Sequence, residues 1–268
     1  MRVGFVGAGR MGAPMIGRLV AAGHQVRALA RTAEKRPAIS ELGAEPVAEI
    51  AAVADGAQAV VVCVFTDEQV AQVCSAGPAP LPASMPAGST LILHTTGSPR
   101  TAQRIAEQHR HIDVLDAPVS GGPHDIAAGE VTLFVGGAAD TVAAARPVLA
   151  AYGDPVLHVG ALGAGQTVKL INNALFAAQI ALVAEAGRIG TSLGVAETDL
   201  LAALGHGSSA SRVLGMVARA GSADGFVAAV GEFIGKDVAV VRRTAAGLGT
   251  DLGLIDGLLD RVTGAGAD

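Results

Sequence analysis

The chain has 268 residues, half of them hydrophobic and only 16% charged, which excludes a disordered chain and leaves room for one large domain or two modest ones. A net charge of −5, 3% aromatic residues and no tryptophan exclude nucleic acid as a main partner, since phosphates call for a basic surface and single strands for stacking platforms. Two cysteines, Cys63 and Cys74, are too few for a disulfide framework or a metal cluster and point to a reducing cytoplasm.

In chain order, Arg2 to Val6 reads as a short buried strand, and the N-terminal residues lack the apolar stretch of a secretory signal. The glycine-rich turn Gly7 to Gly12 follows. A helix then runs from Ala13 to Ala22 with apolar Met15, Ile16, Leu19 and Val20, stopped at Gly23. His24 to Ala30 is a second strand and Glu34 to Leu42 a short helix. Ala59 to Phe65 is a continuous apolar run, typical of a strand buried on both faces. The segment Ala76 to Gly88, rich in Pro and Ala, reads as a loop. Ser89 to His94 is another strand, followed by a helix from Pro99 to His109. Strands at Val114 to Asp116, Val131 to Gly136 and Val156 to Val159 close the first half. This alternation predicts an α/β fold, a doubly wound and mostly parallel Rossmann sheet over residues 1–160.

Residues 161–268 carry helical periodicity only and predict an all-helical domain. Its first helix, Gln166 to Gly190, is apolar round most of its circumference, at Leu170, Leu175, Phe176, Ile180, Leu182, Val183 and Ile189. A helix apolar all round must be buried all round. The shorter helices that follow, near 197–205, 209–220, 224–246 and 249–263, hardly wrap it alone, so a homodimer with this helix as its hub is expected. No run reads as long enough to cross a membrane, and the expectation is a soluble cytoplasmic protein.

The turn Gly7-x-Gly9-x-x-Gly12, with Arg10 and Met11 inside it, lies between a strand and a helix, the context that gives this pattern meaning. Gly7 allows the tight turn, Gly9 lets backbone approach a pyrophosphate, and Gly12 lets helix and strand pack closely. The pyrophosphate then meets free N–H groups and the positive end of the helix. At the end of the second strand stand Arg31 and Thr32 in place of the acid usual for NAD. A cation and a hydroxyl suit a 2′-phosphate, so NADP is favoured over NAD.

Two further segments carry chemistry. In Asp116-Ala117-Pro118-Val119-Ser120-Gly121-Gly122, a hydroxyl followed by two glycines can present donors to a carboxylate. In Gly160-x-x-Gly163-x-Gly165-x-x-x-Lys169-x-x-x-Asn173, Lys169 and Asn173 are i and i+4 and share a helix face. Only three lysines stand among nineteen basic residues, at Lys35, Lys169 and Lys236. Where arginine serves every ordinary cation, a retained lysine marks a place for an ammonium that can lose its proton, although three residues are also within the reach of chance. A lysine in the first turns of an apolar helix either faces something negative or reactive or snorkels to solvent. Lys236-Asp237 taken alone reads as a solvated helix face.

Taken together, GFVGAGRMG, DAPVSGG, GALGAGQTVKLINN and GKD, in that order, resemble the β-hydroxyacid dehydrogenase family, which includes 3-hydroxyisobutyrate dehydrogenase, tartronate semialdehyde reductase and the glyoxylate/succinic semialdehyde reductases. The resemblance implies an NADP-dependent oxidoreductase, with NAD as the alternative cofactor, no metal, and a small carboxylate-bearing hydroxy acid or semialdehyde as substrate. It implies Lys169 as general acid/base with Asn173 as its partner, Ser120, Gly121 and Gly122 on the substrate carboxylate, and Lys236 and Asp237 closing the site from the helical domain. Val64, Phe65, Thr66 and Thr96 are then expected along the dinucleotide. The chain departs from the family at His94, at Phe65-Thr66 and at Ala30. Rivals are 6-phosphogluconate dehydrogenase, which carries a histidine where Asn172 stands, the imine reductases, which lack the lysine, and a non-catalytic NADP-binding module.

Overall fold

The computed structural model describes residues 1–76 and 80–263 and divides the chain into two compact units, Met1–Lys169 and Leu170–Asp268. The first unit runs β1 (Arg2–Val6), α1 (Gly12–Ala21), β2 (Gln25–Leu29), a 3₁₀ turn at Ala33–Lys35, α2 (Arg36–Glu41), β3 (Glu45–Val47) and α3 (Ile50–Ala54). It continues with β4 (Ala59–Val62), α4 (Asp67–Cys74), a 3₁₀ turn at Leu81–Ser84, β5 (Thr90–Leu93), α5 (Pro99–Gln108), β6 (Asp113–Asp116) and β7 (Val119–Ser120). Then come α6 (Pro123–Ala128), β8 (Val131–Gly136), α7 (Ala139–Leu149) and β9 (Gly153–Gly160). Helix α8 (Ala164–Ser192) begins in this unit and continues into the second, which adds α9 (Glu197–Leu204), α10 (Arg212–Ala220), α11 (Ala223–Leu248) and α12 (Leu254–Thr263).

The sheet order is β3-β2-β1-β4-β5-β6-β8-β7, with β9 beside β8. β3 through β6 are parallel, in registers such as Val3↔Val26, Phe5↔Val61 and Ile92↔Leu115, whereas β8 runs antiparallel to β6 and β7. The order reverses between β1 and β4, and ligands of such sheets bind outside the carboxyl ends of the strands at that point. The β-branched run of β4 explains why both faces are covered. Val61 faces the cluster of Phe5, Met15, Ile16, Leu19 and Leu115, while Val60 and Val62 face that of Val53, Val70, Leu91 and Ile105. The mostly parallel Rossmann sheet followed by an all-helical region is thus the observed architecture, and among the described residues no strand follows β9.

Several boundaries differ from expectation. The β4 strand stops at Val62, not Phe65, because the chain turns there into the Thr66 cap of α4. The helix expected over 34–42 is a 3₁₀ turn followed by α2, with Pro37 in the first turn of α2. Leu81–Ser84 interrupts the expected loop, in which residues 77–79 lie outside the described residues, as do residues 264–268 of the expected helical domain. β3, α3, α4, β7, α6 and α7 were not expected. The expectation that no run has membrane-spanning length is also corrected: α8 has 29 residues and is apolar enough to pass on length and composition. Its Leu170, Ala174, Ala177 and Ile180 belong to the core of the second unit with Leu201, Val217, Phe226 and Val241, as in a core helix of a globular domain.

His94, at the end of β5, is 2% exposed and faces inward. Its Nδ1 donates to the Ala117 carbonyl at 2.5 Å and its Nε2 accepts from the Tyr152 hydroxyl at 2.8 Å. Burial pulls its pKa down from 6.5 to about 4. The folded chain therefore keeps a neutral imidazole where the unfolded chain binds a proton. The sign follows: this contribution is intact above pH 6.5 and is lost as pH falls from there toward about 4, by about 3 kcal/mol at most. Chemical denaturation of the parent at about pH 7 and about pH 5 should show the loss, and a His94→Gln variant should lack that share of it.

Candidate active site

The cofactor turn owes its shape to missing side chains. Gly7 has φ +106°, and a Cβ there would lie 2.1 Å from the Cys63 carbonyl oxygen. A Cβ on Gly12 would lie 2.0 Å from the Gly7 oxygen and 2.9 Å from Phe5. These two close approaches set β1, the end of β4 and α1 together. Gly9 is different: a Cβ there meets nothing within 4 Å, so the space over it is open. The Gly9 N–H donates to the Gly7 oxygen at 2.8 Å, closing the turn. Met11, the N-cap of α1, offers no side-chain cap, and the first turn of that helix contains no acid. Leading N–H groups at a helix start are of the kind that receive an anion, though that of Ala13 is already given to the Gly9 carbonyl at 2.9 Å. Arg10 is exposed and Met11 partly buried beside them.

Arg31 and Thr32 follow β2 and are both exposed. The Thr32 hydroxyl bonds the Glu34 carboxyl and holds its pKa below the usual carboxylate range. Glu34 thus stands three residues after Arg31, in the 3₁₀ turn and not at the end of β2 itself.

The ends of β4 and β5 are stitched together. Thr95 Oγ1 donates to the Val64 carbonyl at 2.9 Å and accepts from the Val64 N–H at 3.1 Å. Phe65 is 55% exposed. Thr66, expected along the dinucleotide, is the N-cap of α4: its hydroxyl accepts from the Gln69 N–H at 3.3 Å while Gln69 Oε1 takes the N–H groups of Phe65 and Thr66. Thr96 lies partly buried between Thr95 and Gly97.

That loop is bound to the start of α8. Gln166, 3% exposed, accepts from the Gly97 N–H at 2.9 Å and donates from Nε2 to the Thr95 carbonyl at 2.8 Å. Asp116, fully buried at the end of β6, takes the Gly163 N–H on Oδ1 and the Gln166 N–H on Oδ2, both at 2.6 Å. Burial pushes the Asp116 carboxyl up, and the N–H groups of Gly163, Gln166 and Gly165 oppose that shift. Neither Asp116's partners nor Gln166 were anticipated as site elements.

Lys169 is half-buried, one turn past Gln166 on α8. Asn173 is one turn further, 5% exposed; its Oδ1 accepts from Asn172 Nδ2 at 3.2 Å, and its own buried Nδ2 has no hydrogen-bond partner. A buried donor without an acceptor costs about 1–3 kcal/mol, a cost typical of sites that await a ligand. Ser120 lies in β7 and Gly121 follows with φ +138°. Of the two glycine N–H groups expected to stand open to a carboxylate, that of Gly122 is already given to Asp125 Oδ2 at 2.6 Å. Lys236 and Asp237 lie partly buried on α11 in the second unit. Among the described residues no three His, Cys, Asp or Glu side chains gather into a metal site.

Comparison with known proteins matches residues 2–160 to the family described as the NAD binding domain of 6-phosphogluconate dehydrogenase. Residues 163–258 match the family described as NAD-binding of NADP-dependent 3-hydroxyisobutyrate dehydrogenase. A 3-hydroxyisobutyrate dehydrogenase of Pseudomonas aeruginosa is 35% identical over 72% of this chain, a stretch that spans 65% of its own length. A probable 3-hydroxyisobutyrate dehydrogenase of Mycobacterium tuberculosis is 36% identical over 74% of this chain and 67% of its own. The solved structure of a 3-hydroxyisobutyrate dehydrogenase of Mycobacterium tuberculosis with L-serine superposes with a TM-score of 0.86 at 26% identity, covering 100% of this chain and 94% of that one.

Proposed function

Because the chain belongs to the β-hydroxyacid dehydrogenase family, whose members are NAD(P)-dependent enzymes acting on CH–OH groups, we propose that it interconverts a short 3-hydroxy acid and its semialdehyde or ketone with Lys169 as general acid/base. The observation that carries this reading is the orphaned amide of Asn173, a buried donor one helical turn from Lys169. The turn at Gly7, Gly9 and Gly12 would hold the pyrophosphate, with Val64, Phe65, Thr66 and Thr96 after the strand ends beyond it. When bound, the nicotinamide supplies or accepts hydride at the substrate carbon. Lys169 gives a proton to the oxygen of the carbonyl as it becomes an alkoxide, and takes one from the alcohol in the reverse direction. Asn173 Nδ2 donates to a substrate oxygen. The Ser120 hydroxyl and the Gly121 N–H hold the carboxylate, and Lys236 and Asp237 are read as further substrate-binding residues. Fixing the carboxylate keeps the carbonyl in place for the transfer.

The test is a panel of short semialdehydes and 3-hydroxy acids with NADPH and NADH, followed by nicotinamide absorbance in both directions. Turnover of a carboxylate-bearing member supports the reading. Dinucleotide binding with no turnover of any member would leave the non-catalytic module.

We read the cofactor as NADP on account of exposed Arg31, which can grip a 2′-phosphate. Arg31→Ala should weaken NADPH binding by ~10–100-fold and leave NADH binding within a small factor, since a charge-assisted contact is worth ~1.5–3 kcal/mol. Equal losses for both nucleotides would overturn that choice.

We also propose a homodimer through the helical unit. Ile171, Leu175, Leu182 and Ile189 of α8 are each 45–54% exposed within one chain. Spacings of 4, 7 and 7 residues align them in one stripe. A monomeric mass at micromolar concentration would count against the dimer.

A further inference from the structure

We infer that Asp116 is a positioning residue for the reaction: from the end of β6 it fixes the first turn of α8 and, through Gln166, the Thr95–Gly97 loop, so that Lys169 and that loop are held in one register. The inference rests on the reading of Lys169 as the acid/base.

The geometry separates this from an ordinary helix cap. A cap usually comes from the residue that flanks the helix. Here it comes from a strand 47 residues upstream, so it ties the helix to the sheet instead of merely ending it. Both carboxyl oxygens are used as acceptors, at 2.6 Å each. The surroundings are built to admit it. A Cβ on Gly136 would lie 2.4 Å from Asp116 Oδ1, and one on Gly165 would lie 2.3 Å from the Phe134 oxygen and 2.9 Å from Asp116 Oδ2. A carboxylate buried this completely is costly to desolvate and persists only where fixed donors replace water.

Gln166 passes the constraint on. Its backbone N–H is held by Asp116, and its side chain holds both Gly97 and Thr95, positions 69 and 71 residues away in sequence. Thr95 in turn holds Val64. One chain of hydrogen bonds, buried except at its part-buried Thr95–Val64 end, thus runs from β6 through the head of α8 to the ends of β5 and β4. Lys169 follows Gln166 by three residues, about 4.5 Å along the axis, so a shift of that first turn is delivered to the amine. A misplacement of about 1 Å can cost ~10²-fold in rate.

Asp116→Asn keeps the volume but turns one acceptor into a donor facing an N–H. Gln166→Met leaves the Asp116 contacts in place and cuts the tie to the Thr95–Gly97 loop. In each, kcat should fall by ~10–10²-fold with NADPH affinity, read by fluorescence titration, near the parental value, and the solvent isotope effect on kcat should rise as proton transfer becomes limiting. Folded variants that turn over at the parental rate, even with a lowered Tm, would overturn the inference, as would a kcat loss matched by loss of NADPH binding with no change in isotope effect. Should Asp116→Asn not fold, Gln166→Met decides by the same readings. Lys169→Ala serves as the reference. If it remains active, the acid/base reading fails. If it is inactive while both other variants are unimpaired, only the positioning role fails.

Discussion

Lys169→Ala is expected to lower kcat by ~10²–10⁴-fold while NADPH still binds, because proton transfer by a placed side chain contributes that much and the cofactor turn lies elsewhere in the chain. Stopped-flow or steady-state reduction of the best substrate, alongside a fluorescence titration of NADPH, would measure both. Near-normal turnover would retire the assignment. Lys169→Arg should fail almost as completely. Guanidinium keeps the positive charge and the reach, yet does not release its proton in the working pH range. The pair of variants therefore distinguishes an acid from a mere counter-charge for the substrate carboxylate. If charge alone were needed, arginine would restore most of the rate. The loss should appear in kcat more than in KM, since the proton moves only as the carbonyl oxygen becomes negative.

The parts of this protein that could be read from sequence are those whose cause is local. The turn from Gly7 to Gly12 is legible because each glycine answers a separate steric demand, and two of the three demands appear as sub-van-der-Waals approaches of a hypothetical Cβ. The long helix α8 is legible because its apolar residues recur over 29 positions. Elements that escaped are short or carry mixed signals. β3 is three residues with Pro46 inside, as suits an edge strand. α7 is Ala-rich with Pro147 near its end. α4 is half polar and half apolar, but Thr66 followed three residues later by Gln69 is a capping-box signal that could have located it. The same signal places the Thr66 hydroxyl at the head of that helix.

Within the site, Lys169 and Asn173 are visible as an i, i+4 pair, since helix geometry alone puts them together. The network that holds their helix is not. Asp116, Gln166 and Thr95 meet only because β5 and β6 are neighbours and α8 starts beside them, and nothing in a window of a few residues reports that. Gly122 illustrates the opposite error: a glycine N–H open by pattern is occupied by Asp125, three residues on. His94 reads from sequence only as a departure from the family, and burial and its two partners make it part of the fold's interior.

Gly9 and Gly12, three residues apart, should fail in opposite ways, and this is the sharpest test of the cofactor turn. Gly12→Ala places a Cβ 2.0 Å from the Gly7 oxygen and 2.9 Å from Phe5, mostly against backbone and a packed ring, so β1 and α1 must separate. Overpacking of that kind costs about 1–3 kcal/mol or more, and the variant should lose thermal stability and dinucleotide binding together. Gly9→Ala places its Cβ in open space, with nothing within 4 Å. Its Tm should stay at the parental value, and helix propensity is not at stake because Gly9 precedes α1. If the pyrophosphate approaches the backbone there, the methyl group occupies the room it needs, and NADPH affinity should fall by ~10²-fold, equivalent to about 3 kcal/mol. Differential scanning fluorimetry with and without NADPH reads both quantities in one experiment: the apo transition reports the fold, and the ligand-induced rise reports binding. A Gly9→Ala protein with a parental apo transition and a parental rise would place the dinucleotide away from this turn, because no other property of Gly9 in this fold calls for the absence of a side chain.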